Sequence, residues 1–229
     1  TTSAAGEGGH PGTLQVQVRY TLGPGPQWRI DYEAQGDKPT VVNLSHHDYF
    51  NLRGHGDVMD HRLRIAASRY CPVDAGLIPL GLAPVDGTPF DFRRGARIGE
   101  RIREAHEQLL RGRGYDHNFA IDAGRSAEPK FVARLEDPVS GRTMELHSTE
   151  PGLQVYTGNF LDATAIGKEN FIYRQADGIA LEPQRNWTVN EPEELAKVLD
   201  KLNELRGSMS LADAIVLAGS AAGGEAGKD

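Results

Sequence analysis

Leu14, Val16, Val18 and Tyr20 alternate with Gln15, Gln17 and Arg19, and beyond Gly23-Pro24-Gly25-Pro26 the same two-residue period resumes at Trp28, Ile30, Tyr32 and Ala34. Successive side chains of an extended chain point to opposite faces, so this spacing gives each segment one apolar face. The Gly and Pro between them break the pattern, and the pair is predicted to be a β-hairpin with one side buried. Shorter runs of strand character follow at 40–44, 62–66, 118–121, 131–135, 143–148 and 154–157, bounded by Gly, Pro, Asp or Asn. Many short strands separated by turn signals argue for an all-β sandwich. Only 98–110 reads as a helix within this region, and the small, polar, Gly-rich stretch 1–11 reads as a mobile lead-in.

The character changes after Gln184. Asn190 is placed to cap a helix with Glu193 as its reciprocal partner, and Leu195, Val198, Leu199, Leu202 and Leu205 then fall at helical spacing before Gly207. Ser210 and Asp213 open a second candidate over Leu211, Ile215, Val216 and Leu217. The expected organisation is a β-sandwich over 1–185 and a short helical appendage with a frayed tail over 186–229.

The 229 residues suit one such domain with an appendage. Lys and Arg number 25 against 32 Asp and Glu, for a formal net charge of -7, and no basic run interleaves with aromatics. Nucleic acid and anionic membrane are therefore poor partners, and a small neutral ligand is a better one. A lone Cys71 rules out an internal disulfide framework and fits a reducing, cytoplasmic setting. No apolar run reaches the roughly 18 residues of a membrane helix. His55 and His61, near Asp57 and Asp60, read as a loop rather than a metal site. Arg93, Arg94, Arg97, Arg101 and Arg103, set against Glu100, Glu104 and Glu107, read as a helix face with ion pairs four residues apart. Phosphate-loop, dinucleotide and nucleophile-elbow strings are absent.

Four segments carry the chemistry. Asn43-Leu44-Ser45-His46-His47-Asp48-Tyr49-Phe50-Asn51-Leu52 sets two adjacent imidazoles at what reads as a strand end, and Gly114-Tyr115-Asp116-His117-Asn118 adds a carboxylate. Glu150-Pro151-Gly152-Leu153-Gln154-Val155-Tyr156-Thr157-Gly158-Asn159 adds an amide, and Ala180-Leu181-Glu182-Pro183-Gln184 a Glu between two apolar neighbours. An imidazole, with an ordinary pKa of about 6.5, can donate and recover a proton near neutrality. A Glu, ordinarily at about 4.3, becomes a useful base when burial raises it. Each group also has a plainer reading: His47 as a hydrogen-bonded strand-end residue, Asp116 as a turn cap, Gln154 as a solvent-facing strand residue and Glu182 as a surface Glu. His46 and His117 read as structural.

These segments, in this order, resemble the galactose mutarotase (aldose 1-epimerase) family, whose motifs run NHxYFNL, G(F/Y)DHN, (Q/E)PGxQxYTGN and LExQ. The similarity spans about Glu7 to Gln184 and takes in the phrases Tyr70-Cys71-Pro72-Val73-Asp74, Leu77-Ile78-Pro79 and Gly87-Thr88-Pro89-Phe90-Asp91-Phe92. It implies a galactose mutarotase-like β-sandwich that lacks the family's earlier strands, with the Arg and His there that contact sugar. It also implies interconversion of the anomers of a free aldohexose, galactose or glucose, with His47 as acid, Glu182 as base, and Asp116 and Gln154 holding hydroxyls. His46 falls where the family usually has Asn, and Tyr156 and Phe50 either line the sugar or join the core. The implied reaction needs no cofactor and no metal. Other readings are a carbohydrate-binding or interaction module with an incomplete cleft, a hexose-6-phosphate 1-epimerase, and an artificial chimera. The last follows from the tail, because 190–219 resembles a piece of a catalase-peroxidase C-terminal domain.

Overall fold

The computed structural model describes residues 1–40 and 42–184. The helices predicted from Asn190 and Ser210, and the boundary at 185/186, lie outside the described residues. Contacts gather the chain into two compact units, the first holding Thr1–Leu44 and the second opening at Ser45.

In the first unit β2 (Leu14–Leu22) and β3 (Trp28–Gly36) form the predicted hairpin, in register from Leu14 opposite Gly36 to Leu22 opposite Trp28. The register sets Val16 across from Ala34, Val18 from Tyr32 and Tyr20 from Ile30, so the apolar side chains pair along one face of the ribbon. None of these strand residues is fully buried, contrary to the expectation of a buried side. The lead-in is also more ordered than expected. Within it β1 (Thr2–Ser3) pairs with β2, and the Thr1 ammonium donates to the Val16 carbonyl at 2.8 Å. No strand forms at 40 or 42–44.

The second unit is built on two sheets. One runs in the order β11 (Thr143–Ser148), β10 (Lys130–Glu136), β5 (Arg62–Ile65), β8 (Ala96–Arg97). The other runs β4 (Tyr49–Phe50), β15 (Ile179–Gln184), β12 (Gly152–Tyr156), β9 (Asp116–Ala120), β6 (Arg69–Tyr70), β7 (Ala83–Pro84). Leu63, Ile65, Ala133 and Leu135 from the first and Phe119, Leu153, Val155 and Leu181 from the second share a single buried cluster. This is the all-β sandwich that the strand pattern called for. A further hairpin, β13 (Asp162–Ile166) with β14 (Ile172–Arg174), is exposed throughout and was not foreseen.

The predicted helix over 98–110 is instead two short pieces, α1 (Ile98–Arg101) and α2 (Glu107–Gly112). His106 between them is extended, and its imidazole accepts the Gln108 N–H, so it caps a new helix rather than continuing the old one. Gln108 is buried and bonds both the N–H and the carbonyl of Val73, which holds α2 in place. With the helix broken, the arginines find other partners: Arg93 pairs with Asp86 and Asp91, Arg97 with Asp60, and Arg101 donates to the carbonyls of Thr88 and Asp91. Only Arg111 with Glu107 keeps the four-residue spacing among the described ion pairs.

Phe90 sits at the centre of the core. It is fully buried, stacked on Tyr70 at 4.3 Å between centroids and edge-on to Tyr115 and His117. Cutting it back to Ala removes these contacts and leaves a cavity, so Phe90→Ala is expected to cost about 3–5 kcal/mol, read as a drop in the urea midpoint at unchanged slope.

Candidate active site

Three adjacent strands of the six-stranded sheet build the floor of the site. Gln154 on β12 lies directly opposite Glu182 on β15, and Tyr156 lies opposite Asp116 on β9. Directly opposed residues share a face, as do residues two apart on one strand, so Asp116, Gln154, Tyr156 and Glu182 all stand on one side of the sheet. Leu153, Val155, Ile179, Leu181, His117 and Phe119 point the other way and are buried. The strand alternation thus separates the chemistry from the core residue by residue.

His47 reaches this face from the sheet edge. Tyr49 on β4 pairs with Ala180, two residues from Glu182, and His47 lies two residues before Tyr49. The segment is tied down on both sides. Ser45 Oγ donates to the Pro183 carbonyl at 2.8 Å. Asn51 Nδ2 donates to the carbonyls of Gly56 and Asp177, and Leu52 N–H donates to the Nε2 of buried His61. Next along, Arg53 pairs with Asp137 at 2.8 Å, which holds the Asp137 carboxyl far below the usual carboxylate range. His61 is thus a core residue that fastens the loop, and burial lowers its pKa.

The imidazole Nε2 of His47 stands 3.4 Å from Oε1 of Glu182, the first half exposed and the second mostly covered. Gln154 Nε2 donates to Asp116 Oδ1 at 2.8 Å. These four residues, with Tyr156 and Gln184, line a hollow of about 410 Å³. All four residues singled out from the sequence therefore converge. A second hollow, about 470 Å³ between Arg125, Ser126, Ala127, Thr149 and Glu150, has no imidazole in its wall.

Burial raises the pKa of Glu182; the nearby His47 pulls it back down, and the Asp116 carboxylate pushes it up further. Asp116 is raised as well, again by burial first, with the Gln154 amide and His47 acting against it. Glu182 is thus a stronger base than a surface Glu, as a proton acceptor working near neutrality requires. Aromatic rings bound the imidazole: Tyr49 lies 5.1 Å from it and Tyr156 6.1 Å, edge-on. The Tyr156 hydroxyl accepts the Phe160 N–H at 3.0 Å, which fixes the ring.

The rest of each motif is structural. His117 is buried; its Nδ1 accepts the Asp116 N–H, its Nε2 faces Gln108 Oε1, and burial lowers its pKa to about 3. Asn159 Nδ2 donates to the carbonyls of Gly112 and Tyr115, and the Thr157 hydroxyl bonds Asn159 Oδ1. Gly114 has a φ of +141°, and a Cβ there would lie 2.5 Å from Asn159 Oδ1, so the turn before Asp116 admits no side chain. Phe50 packs on the core, while Tyr156 lines the hollow. Tyr49 and Gln184 were not singled out from the sequence. Period-2 counting onward from Glu182 along its strand was the signal available for Gln184.

The family model for aldose 1-epimerase matches residues 1–212. The chain belongs to the aldose 1-epimerase family. Galactose mutarotase of Rattus norvegicus is 46% identical over 196 residues, which cover 83% of this chain and 55% of the rat protein. Aldose 1-epimerase of Escherichia coli K12 is 39% identical over 186 residues, covering 80% and 53%. Among solved structures, galactose 1-epimerase from Lactobacillus acidophilus NCFM superposes with a TM-score of 0.71 at 32% identity, covering 81% of this chain and 52% of that one. The chain spans about half the length of the curated relatives it matches. The aldose 1-epimerase match runs into the segment 190–219, whose likeness to a catalase-peroxidase the comparisons do not support.

Proposed function

We propose that this chain interconverts the α and β anomers of a free aldohexose, galactose or glucose, with His47 as general acid and Glu182 as general base. The observation that carries the reading is the 3.4 Å approach of the two groups in a hollow that also presents Asp116 and Gln154. The ring oxygen and the anomeric hydroxyl hang on the same carbon. A donor and an acceptor this close can therefore reach both atoms at once.

His47 gives a proton to the ring oxygen while Glu182 takes one from the anomeric hydroxyl, and the C1 to ring-oxygen bond breaks to leave an open-chain aldehyde. Rotation about C1–C2 turns the other face of the carbonyl toward the ring hydroxyl. Closure reverses the transfers: the hydroxyl returns its proton to His47 as it attacks C1, and Glu182 protonates the new anomeric oxygen. Both groups end as they began. Asp116 accepts from sugar hydroxyls, and Gln154, whose amide also donates to that carboxylate, holds hydroxyls beside it. The lone Cys71 fits a cytoplasmic home, which cell fractionation tests.

Polarimetry of freshly dissolved α-anomer tests the reading. The rotation is expected to reach its equilibrium value faster with protein than in buffer; equal rates, with sugar still bound, would identify a binding module. Asp116→Asn adds a sharper expectation. Losing a charged acceptor is worth about 1.5–3 kcal/mol, so KM should rise on the order of tenfold to a hundredfold. The same change removes the negative charge that pushes Glu182 upward, so the acid limb of kcat/KM should move to lower pH.

A further inference from the structure

The residues on either side of His47 pair with each other. Nε2 of His46 stands 2.7 Å from Oδ2 of Asp48, with the imidazole largely covered and the carboxylate exposed. A contact from 46 to 48 spans the His47 backbone, while the His47 ring reaches across to Glu182. The ends of this segment are held by the Ser45 bond to Pro183 on one side and the pairing of Tyr49 with Ala180 on the other.

We propose that His46 and Asp48 are positioning residues, whose close imidazole–carboxylate contact steadies the His47 backbone and so aims its imidazole at the reacting atoms. The proposal rests on the reading of His47 as the acid, and it deepens that reading. A general acid must sit within hydrogen-bond reach of its target, so a looser backbone lowers the fraction of turnovers that begin in the productive geometry. This loss falls on kcat; the hydroxyl contacts of Asp116 and Gln154, which set KM, are untouched.

The test combines a double-mutant cycle with backbone relaxation. His46→Leu and Asp48→Asn should each lower kcat roughly fivefold, the size that a partly solvated polar contact can supply, at unchanged KM. The double variant should lose no more than either single one, and His46→Gln, whose amide can still donate to Asp48, should keep most of the rate. The N–H order parameter of His47, near 0.85 for rigid backbone, should fall in both single variants and be held in His46→Gln. Because it is measured without sugar, the order parameter judges the contact even if anomer exchange is absent. Unchanged order parameters in both single variants, or losses of kcat that simply add in the double variant, would overturn the proposal.

Discussion

Glu182→Gln is expected to lower kcat for anomer exchange by on the order of 10²- to 10⁴-fold, the contribution of a positioned proton-transfer group. The substitution keeps the volume and hydrogen-bonding length of the side chain but cannot accept the anomeric proton. Glu182 stands on the polar face of the sheet, opposite Gln154, so an amide there disturbs no core contact and the fold should survive intact. The pH profile should change as well. A base works when deprotonated, and a raised pKa means that activity is lost, as the pH falls, at a higher pH than an ordinary Glu would give. The wild-type acid limb should therefore lie at a higher pH than an ordinary Glu would set and should vanish in the variant.

His47→Asn carries the second large effect, again a loss on the order of 10²- to 10⁴-fold in kcat. Asparagine can donate a hydrogen bond from a similar place but cannot release the proton that the ring oxygen must gain. Because half of the His47 side chain is exposed, its loss should leave the melting temperature nearly unchanged. The double variant separates a concerted pair from two independent helpers. If ring opening needs both transfers, the combined loss should be close to that of either single change and far short of their product. KM should move little in all three proteins, since Asp116 and Gln154 remain in place.

Much of this was legible in the residues. The hairpin from Leu14 and the strand Thr143–Ser148 follow directly from period-2 alternation, and the His47, Asp116, Gln154 and Glu182 motifs already marked the chemistry. The strand that carries Glu182 was not seen, because Pro183 breaks the apparent run. In the sheet Pro183 lies opposite Leu153, and its carbonyl turns to the Ser45 side, beyond the end of the short edge strand β4, where no ladder N–H is needed. The break in the predicted helix was hidden for a similar reason. The apolar spacing of 98–110 is real, but His106 prefers to cap and Gln108 to bond Val73, and tertiary contacts outweigh propensity. Tyr49 lies two residues from His47, so its place beside the imidazole is a local matter. What no local pattern encodes is that this segment pairs with β15, a register between residues more than a hundred positions apart that is set by folding.

Magnetisation exchange between the H1 resonances of α- and β-galactose at equilibrium measures the proposed reaction most directly. With the wild-type chain at catalytic concentration, exchange peaks between the two anomers should appear at a mixing time where buffer alone shows none, and they should disappear in Glu182→Gln. Peaks of equal strength in the wild type and in a folded Glu182→Gln protein, or none in either, would show that the imidazole and carboxylate meeting over this sheet do not drive the interconversion.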